Sequence, residues 1–235
     1  MKGGAAEIKA ARRSEKGDAP MRFQSVGVAI FGFASLAMAQ TATAPDLHLR
    51  GDRFRPLTYA ELNPAQKKLA DDVLAGDRGS LNGPYNVFLR SPEMGNLAQQ
   101  FGDYVRFHST VPKKLNEFAI IITGRYWNSQ YEWLAHRKYA ADAGLSEDII
   151  QAVAHGKRPA AMQPDEQAVY DFCTELLETK QVSDASFAAA KNKLGEQGVV
   201  DLMAVVGYYH FVSMTLNVDR YPLPPGATPE LKPLK

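Results

Sequence analysis

The stretch Ser129-Gln130-Tyr131-Glu132-Trp133-Leu134-Ala135-His136-Arg137-Lys138-Tyr139-Ala140-Ala141-Asp142-Ala143-Gly144 decides the fold. It has no alternation of period two and no break before Gly144, so it reads as one helix closed by a glycine just past its C-terminus. Upstream, Pro112 opens another helix, with Leu115, Phe118, Ala119 and Ile122 on one face and a weak point at Gly124. Two helices in tandem joined by a short turn set the pattern for the rest of the chain.

Working outward, the same punctuation recurs. Asn63-Pro64 is a cap followed by proline at the first helical position, and the helix ends before Gly76. Residues 81–90 read as a loop whose apolar Tyr85, Val87, Phe88 and Leu89 pack against a neighbour. Ser91-Pro92-Glu93 starts a helix with Met94, Leu97, Ala98, Phe101, Tyr104, Val105 and His108 at helical spacing. Ser146 caps a helix that ends near His155 and Gly156, and Pro164 opens one running to about Lys180. Ser183 caps another through Leu194, and Glu196 to Leu216 forms the last and most apolar helix, suited to a core or to an interface. No stretch alternates long enough for a strand. The fold class is all-α, a bundle of about seven or eight helices.

Composition narrows the function. The 235 residues carry 27 Lys+Arg against 26 Asp+Glu, so no basic face for nucleic acid is expected. One cysteine, Cys173, excludes an internal disulfide, a CxxC pair and a cysteine zinc cluster. Buried packing is the expected fate of Cys173. No metal site and no cofactor is expected.

The N-terminal region reads as a targeting segment. Arg22 precedes an apolar run from Val26 to Leu36, and Ala37-Met38-Ala39 supplies an A-x-A cleavage pattern, so cleavage is expected after Ala39. Residues 1–20 read either as an extended n-region or as a stretch upstream of a start at Met21. The run is short for a membrane span, which needs about 20 residues. The expected product is periplasmic or secreted with no stable span. Its segments are 1–39 (signal peptide with upstream extension), 40–62 (extended linker), 63–220 (helical domain) and 221–235 (Pro-rich tail).

The chemistry concentrates in Arg125-Tyr126-Trp127-Asn128-Ser129-Gln130-Tyr131-Glu132-Trp133-Leu134-Ala135-His136, which holds both tryptophans. Glu132 and His136 are four apart and share a helix face. A carboxylate beside an imidazole raises the imidazole pKa and orients the ring, as a general acid/base near neutral pH requires. Glu117 lies on the preceding helix and faces the same histidine if the chain turns back at Gly124 to Ser129. Arg125 is near enough to bind an anionic group. Two readings of Glu132 stand side by side, because Ser129-x-x-Glu132 is also a capping box. His108 and His210, on apolar helices, read as core histidines or as pocket residues.

The segments Lys114–Ile121, Ser129–His136 and Ala143–Ser146 resemble the carboxymuconolactone decarboxylase family, which shares its helical fold with AhpD-like proteins. The resemblance covers about 81–224. Aligned on His136, it places the family's glutamate on Glu117 and its two cysteines on Ser129 and Glu132. It implies an acid/base enzyme, a decarboxylase or related lyase/isomerase on a small organic acid or lactone. In that reading His136, Glu117 and Glu132 are catalytic, and Arg125, Trp127, Tyr131 and Trp133 bind substrate. It also implies a homo-oligomer, trimer or hexamer. The alternatives are an alkylhydroperoxidase-type oxidoreductase, for which the thiol pair is missing, and a non-catalytic periplasmic binding module.

Overall fold

Eleven consecutive residues, Leu115 to Arg125, are buried in helix α4 (Lys113–Tyr126). The sequence expectation of one apolar face there is too narrow. A helix buried on all sides belongs in the middle of a fold, and α4 is packed on by its neighbours α5 (Gln130–Asp142), α7 (Pro164–Thr179) and α8 (Asp184–Asp219). A computed structural model describes residues 44–233. The expected signal peptide therefore lies outside the described residues.

The other helices follow in chain order: α1 (Pro64–Ala75), α2 (Tyr85–Phe88), α3 (Pro92–Asp103) and α6 (Glu147–Ala154). The chain is all-helical, with eight helices and no strand among the described residues. Their ends are set locally. Asn63 accepts from the Gln66 amide while the Gln66 side chain accepts from Asn63, each at 2.9 Å. Ser146 and Ser183 accept from the amides of Ile149 and Ser186. Gly195 has φ +72°, which breaks α8 at the position where the sequence reading divides two helices.

Two expectations change. Residues 81–90 are not wholly loop. Pro84 starts the single turn α2, which buries Tyr85 and Phe88 in a second apolar cluster with Leu47, Leu62, Leu69 and Val73. In α3, most of the periodic apolar residues do not face the core. Ala98 and Val105 do pack inward as expected. Met94, Leu97 and Phe101 are exposed, as is Tyr104 just past the helix, while Gly95 and Gly102 are buried. The reason is close approach, since glycine lets a backbone come nearer than any side chain allows. A Cβ on Gly95 would lie 2.8 Å from the Phe88 carbonyl, and one on Gly102 would collide with the Tyr208 phenol. Past α3, the wide turn Tyr104–His108 changes the helical phase and carries His108 to the surface, beside Asp77 and Asp103.

The flanking segments are integral to the helical body. Asp219, at the end of α8, accepts from the amides of Phe54 (2.8 Å) and Asp52 (3.3 Å), which ties the expected linker down. In the expected Pro-rich tail, Tyr221 and Leu231 are buried. Gln130 accepts from the amides of Glu230 and Leu231 and donates to the Leu231 carbonyl, so the tail runs as a strap along α5.

Candidate active site

The turn between α4 and α5 builds the site. Asn128 takes a left-handed conformation (φ 49°), which asparagine tolerates better than most residues. The Ser129 amide then closes back on the Gly124 carbonyl at 2.9 Å. Gly124 is no weak point. It lies within α4, where the position of its missing Cβ is 3.7 Å from the Glu132 side chain, so α5 starts close against α4. The pair forms a helical hairpin that sets His136 opposite Glu117.

His136 is clamped between two carboxylates. Its Nδ1 lies 2.7 Å from Glu117 Oε2 and its Nε2 lies 3.0 Å from Glu132 Oε1. All three residues are 4–5% exposed. With an acceptor at each ring nitrogen, the arrangement is satisfied when both nitrogens carry hydrogen. Burial opposes that charge, but Glu117 and then Glu132 outweigh it, so the His136 pKa is raised. The two readings of Glu132 now separate. Ser129 makes no side-chain cap, and its buried hydroxyl has no partner among the described residues. Glu132 is held by the histidine, not by its own helix terminus.

Glu132 and His136 border a cavity of about 120 Å³, and Glu117 sits behind them. The cavity is also lined by Tyr131 and Tyr139 of α5, Tyr208 and Tyr209 of α8, the 82–84 turn, and two arginines, Arg78 and Arg106. The Tyr209 ring meets the His136 ring edge to face at 4.9 Å. Burial pushes the Tyr209 hydroxyl well above the ordinary phenol range, and pushes that of Tyr131 up to about 12. The Tyr209 hydroxyl is buried and has no hydrogen-bond partner among the described residues.

Three of the residues expected to bind substrate lie elsewhere. Arg125 donates to Asn128 Oδ1 and to the Lys232 carbonyl, both at 2.7 Å, so it ties the hairpin turn to the tail. The Trp127 indole donates to His210 Nδ1 at 2.8 Å. The Trp133 indole donates to the Glu230 carboxylate at 3.0 Å. Only Tyr131 of that group borders the cavity. The two arginines that do were missed, because neither is near His136 in sequence and no local pattern marks them. Cys173 is fully buried in α7, and burial pushes its thiol pKa up.

No protein-family model matches the chain, and no curated protein matches its sequence significantly. Solved structures do match the fold. Among them is the crystal structure of a protein of unknown function from Agrobacterium tumefaciens, described as a candidate antioxidant defence protein AhpD. It is 15% identical, with a TM-score of 0.51, over 59% of this chain and 97% of that one. At that identity the likeness is one of fold, and the fold is AhpD-like.

Proposed function

We propose that this chain is a carboxymuconolactone decarboxylase-like acid/base enzyme, a decarboxylase or related lyase/isomerase acting on a small organic acid or lactone. The observation that carries the reading is the buried line Glu117–His136–Glu132, with its last member on a cavity. Such a line holds a proton and delivers it at one end. Glu117 fixes the ring, His136 stores the proton, and Glu132 passes it to a bound molecule. In a decarboxylation the bond from carbon to carboxylate breaks, CO2 leaves, the electron pair stays on carbon, and the relay protonates that carbon. The relay regains its proton from water.

The test is proton NMR in D2O with a panel of small lactone carboxylates and β-keto acids. The expected result is CO2 loss with deuterium incorporated at carbon, slowed about 10²–10⁴-fold in His136→Gln and in Glu132→Gln, with cooperative unfolding retained. Equal rates in wild type and both variants would overturn the reading. Thiol peroxidase chemistry gains no support, because the thiolate is the reactive form and the one thiol of the chain is buried and held protonated. Peroxide consumption is expected to be the same in Cys173→Ser as in wild type.

The proposal includes export, with cleavage after Ala39, and assembly with further copies of the chain. Assembly is supported by the exposed Leu97 and Phe101 of α3 and Val200 and Met203 of α8. The two helices meet at Phe101 and Tyr208, whose rings are 5.6 Å apart, and the wide turn after α3 is tied to α8 where Tyr104 donates to Asp201 at 3.0 Å. Light scattering on the purified protein is expected to give a trimer or hexamer, and a monomer at micromolar concentration would end that part. The mass of the protein recovered from a periplasmic fraction checks the cleavage site.

A further inference from the structure

Arg78 follows α1 and precedes the stretch that carries the family resemblance, while Arg106 lies in the wide turn after α3. Both border the His136 cavity. Their fixed charges are unspent. Among the described residues neither has a carboxylate within 4 Å, and neither donates a side-chain hydrogen bond to another residue. The salt bridges and hydrogen bonds of the structure run between other groups. Each guanidinium is instead stacked on an aromatic face, Arg78 on Tyr85 (5.0 Å) and Arg106 on Tyr139 (5.1 Å). A guanidinium held over a ring keeps its N–H groups available for an acceptor. The surface carboxylates Asp77 and Asp103 are turned to His108, at 3.2 and 3.4 Å.

From this geometry we infer that Arg78 and Arg106 form an anion subsite for a small monocarboxylate, with the Tyr209 hydroxyl as a third donor. This rests on the acid/base reading and names the group that the reaction would hold. The lining selects the anion. Arg78 and Arg106 put two guanidinium groups on one cavity, with Glu132 as the acidic residue of the same lining. A planar carboxylate matches a guanidinium fork in two parallel bonds. A tetrahedral phosphate is bulkier and would have to sit beside Glu132. The cavity is small, about 120 Å³, which suits a small ligand. Tyr208 and Tyr209 both line the cavity, and neither hydroxyl has a hydrogen-bond partner among the described residues.

The test is titration calorimetry with acetate and propionate as probes, and with inorganic phosphate and chloride as comparators. Wild type is expected to bind the carboxylates at least about tenfold more tightly than phosphate or chloride. Arg78→Gln and Arg106→Gln are each expected to weaken carboxylate binding about tenfold or more, the loss typical of a hydrogen bond to a charged group. Arg106→Lys keeps the charge but not the fork, and is expected to fall between Arg106→Gln and wild type. Glu132→Gln removes the relay and one negative charge, so it should bind carboxylate as tightly as wild type or more so. Carboxylate affinity unchanged within twofold in both glutamine variants, or phosphate bound as well as acetate, would overturn the subsite. Turnover lost in Glu132→Gln with binding retained supports the subsite separately from the chemistry. Binding retained in an enzyme that turns nothing over removes the acid/base reading and leaves the subsite standing.

Discussion

At the scale of the residue, His136 is held between two carboxylates and against the Tyr209 ring. It binds its proton more tightly in the folded chain than in the unfolded one. The stabilisation it contributes is therefore fully present below its unfolded value of 6.5 and is lost as pH rises through the raised folded value. Thermal unfolding followed upward from pH 6.5 should show this loss in wild type and not in His136→Gln. Truncation to alanine is harsher, because Glu117 and Glu132 are then buried with no cation between them. His136→Ala is expected to cost about 3–5 kcal/mol, measured by denaturant unfolding. Tyr209 is a milder case. Its hydroxyl makes no hydrogen bond among the described residues, so Tyr209→Phe should leave stability within about 1 kcal/mol of wild type.

At the scale of the element, α3 shows how far local patterning reaches. Gly95→Ala would drive a methyl group to 2.8 Å from the Phe88 carbonyl, which belongs to backbone and cannot swing aside. It is expected to destabilise by about 1–3 kcal/mol in chemical denaturation, despite the better helix propensity of alanine. Helix ends were legible because they are written in neighbouring residues, as at Asn63-Pro64, Ser146 and the Gly195 break. So was the pairing of Glu132 with His136, which depends only on four-residue spacing. The buried side of α3 was not legible, since small residues carry no hydrophobic signal of their own. Glu117 was reached through the family resemblance and through an expected turn back at Gly124 to Ser129, not through spacing on one helix. Arg78 and Arg106 were out of reach, since their place at the cavity depends on how α1 and α3 pack and not on any pattern beside them. Arg125 misled for the converse reason. Nearness in sequence put it next to the site, while the helical hairpin turned it toward the tail.

At the scale of the whole molecule, α4 sits at the centre and the Glu117–His136–Glu132 line runs outward from it through α5 to the cavity. The exposed apolar residues of α3 and α8 lie on the outside of the same body. Replacing Leu97 and Met203 with serine should shift the light-scattering mass toward the monomer if those residues bury each other between copies. Neither tryptophan lines the His136 cavity. Quenching of intrinsic fluorescence is therefore a poor way to follow a ligand entering it, and a flat titration curve would say nothing about binding. The two indoles report on other events. Trp133, bonded to Glu230, is a lamp on the docking of the strap. Trp127 donates to His210, whose pKa is lowered by burial and by Lys180, so acidification that protonates that ring turns its acceptor into a donor and should change the Trp127 emission. The chain carries two built-in optical gauges, one of tail attachment and one of acidity, and both are blind to the cavity.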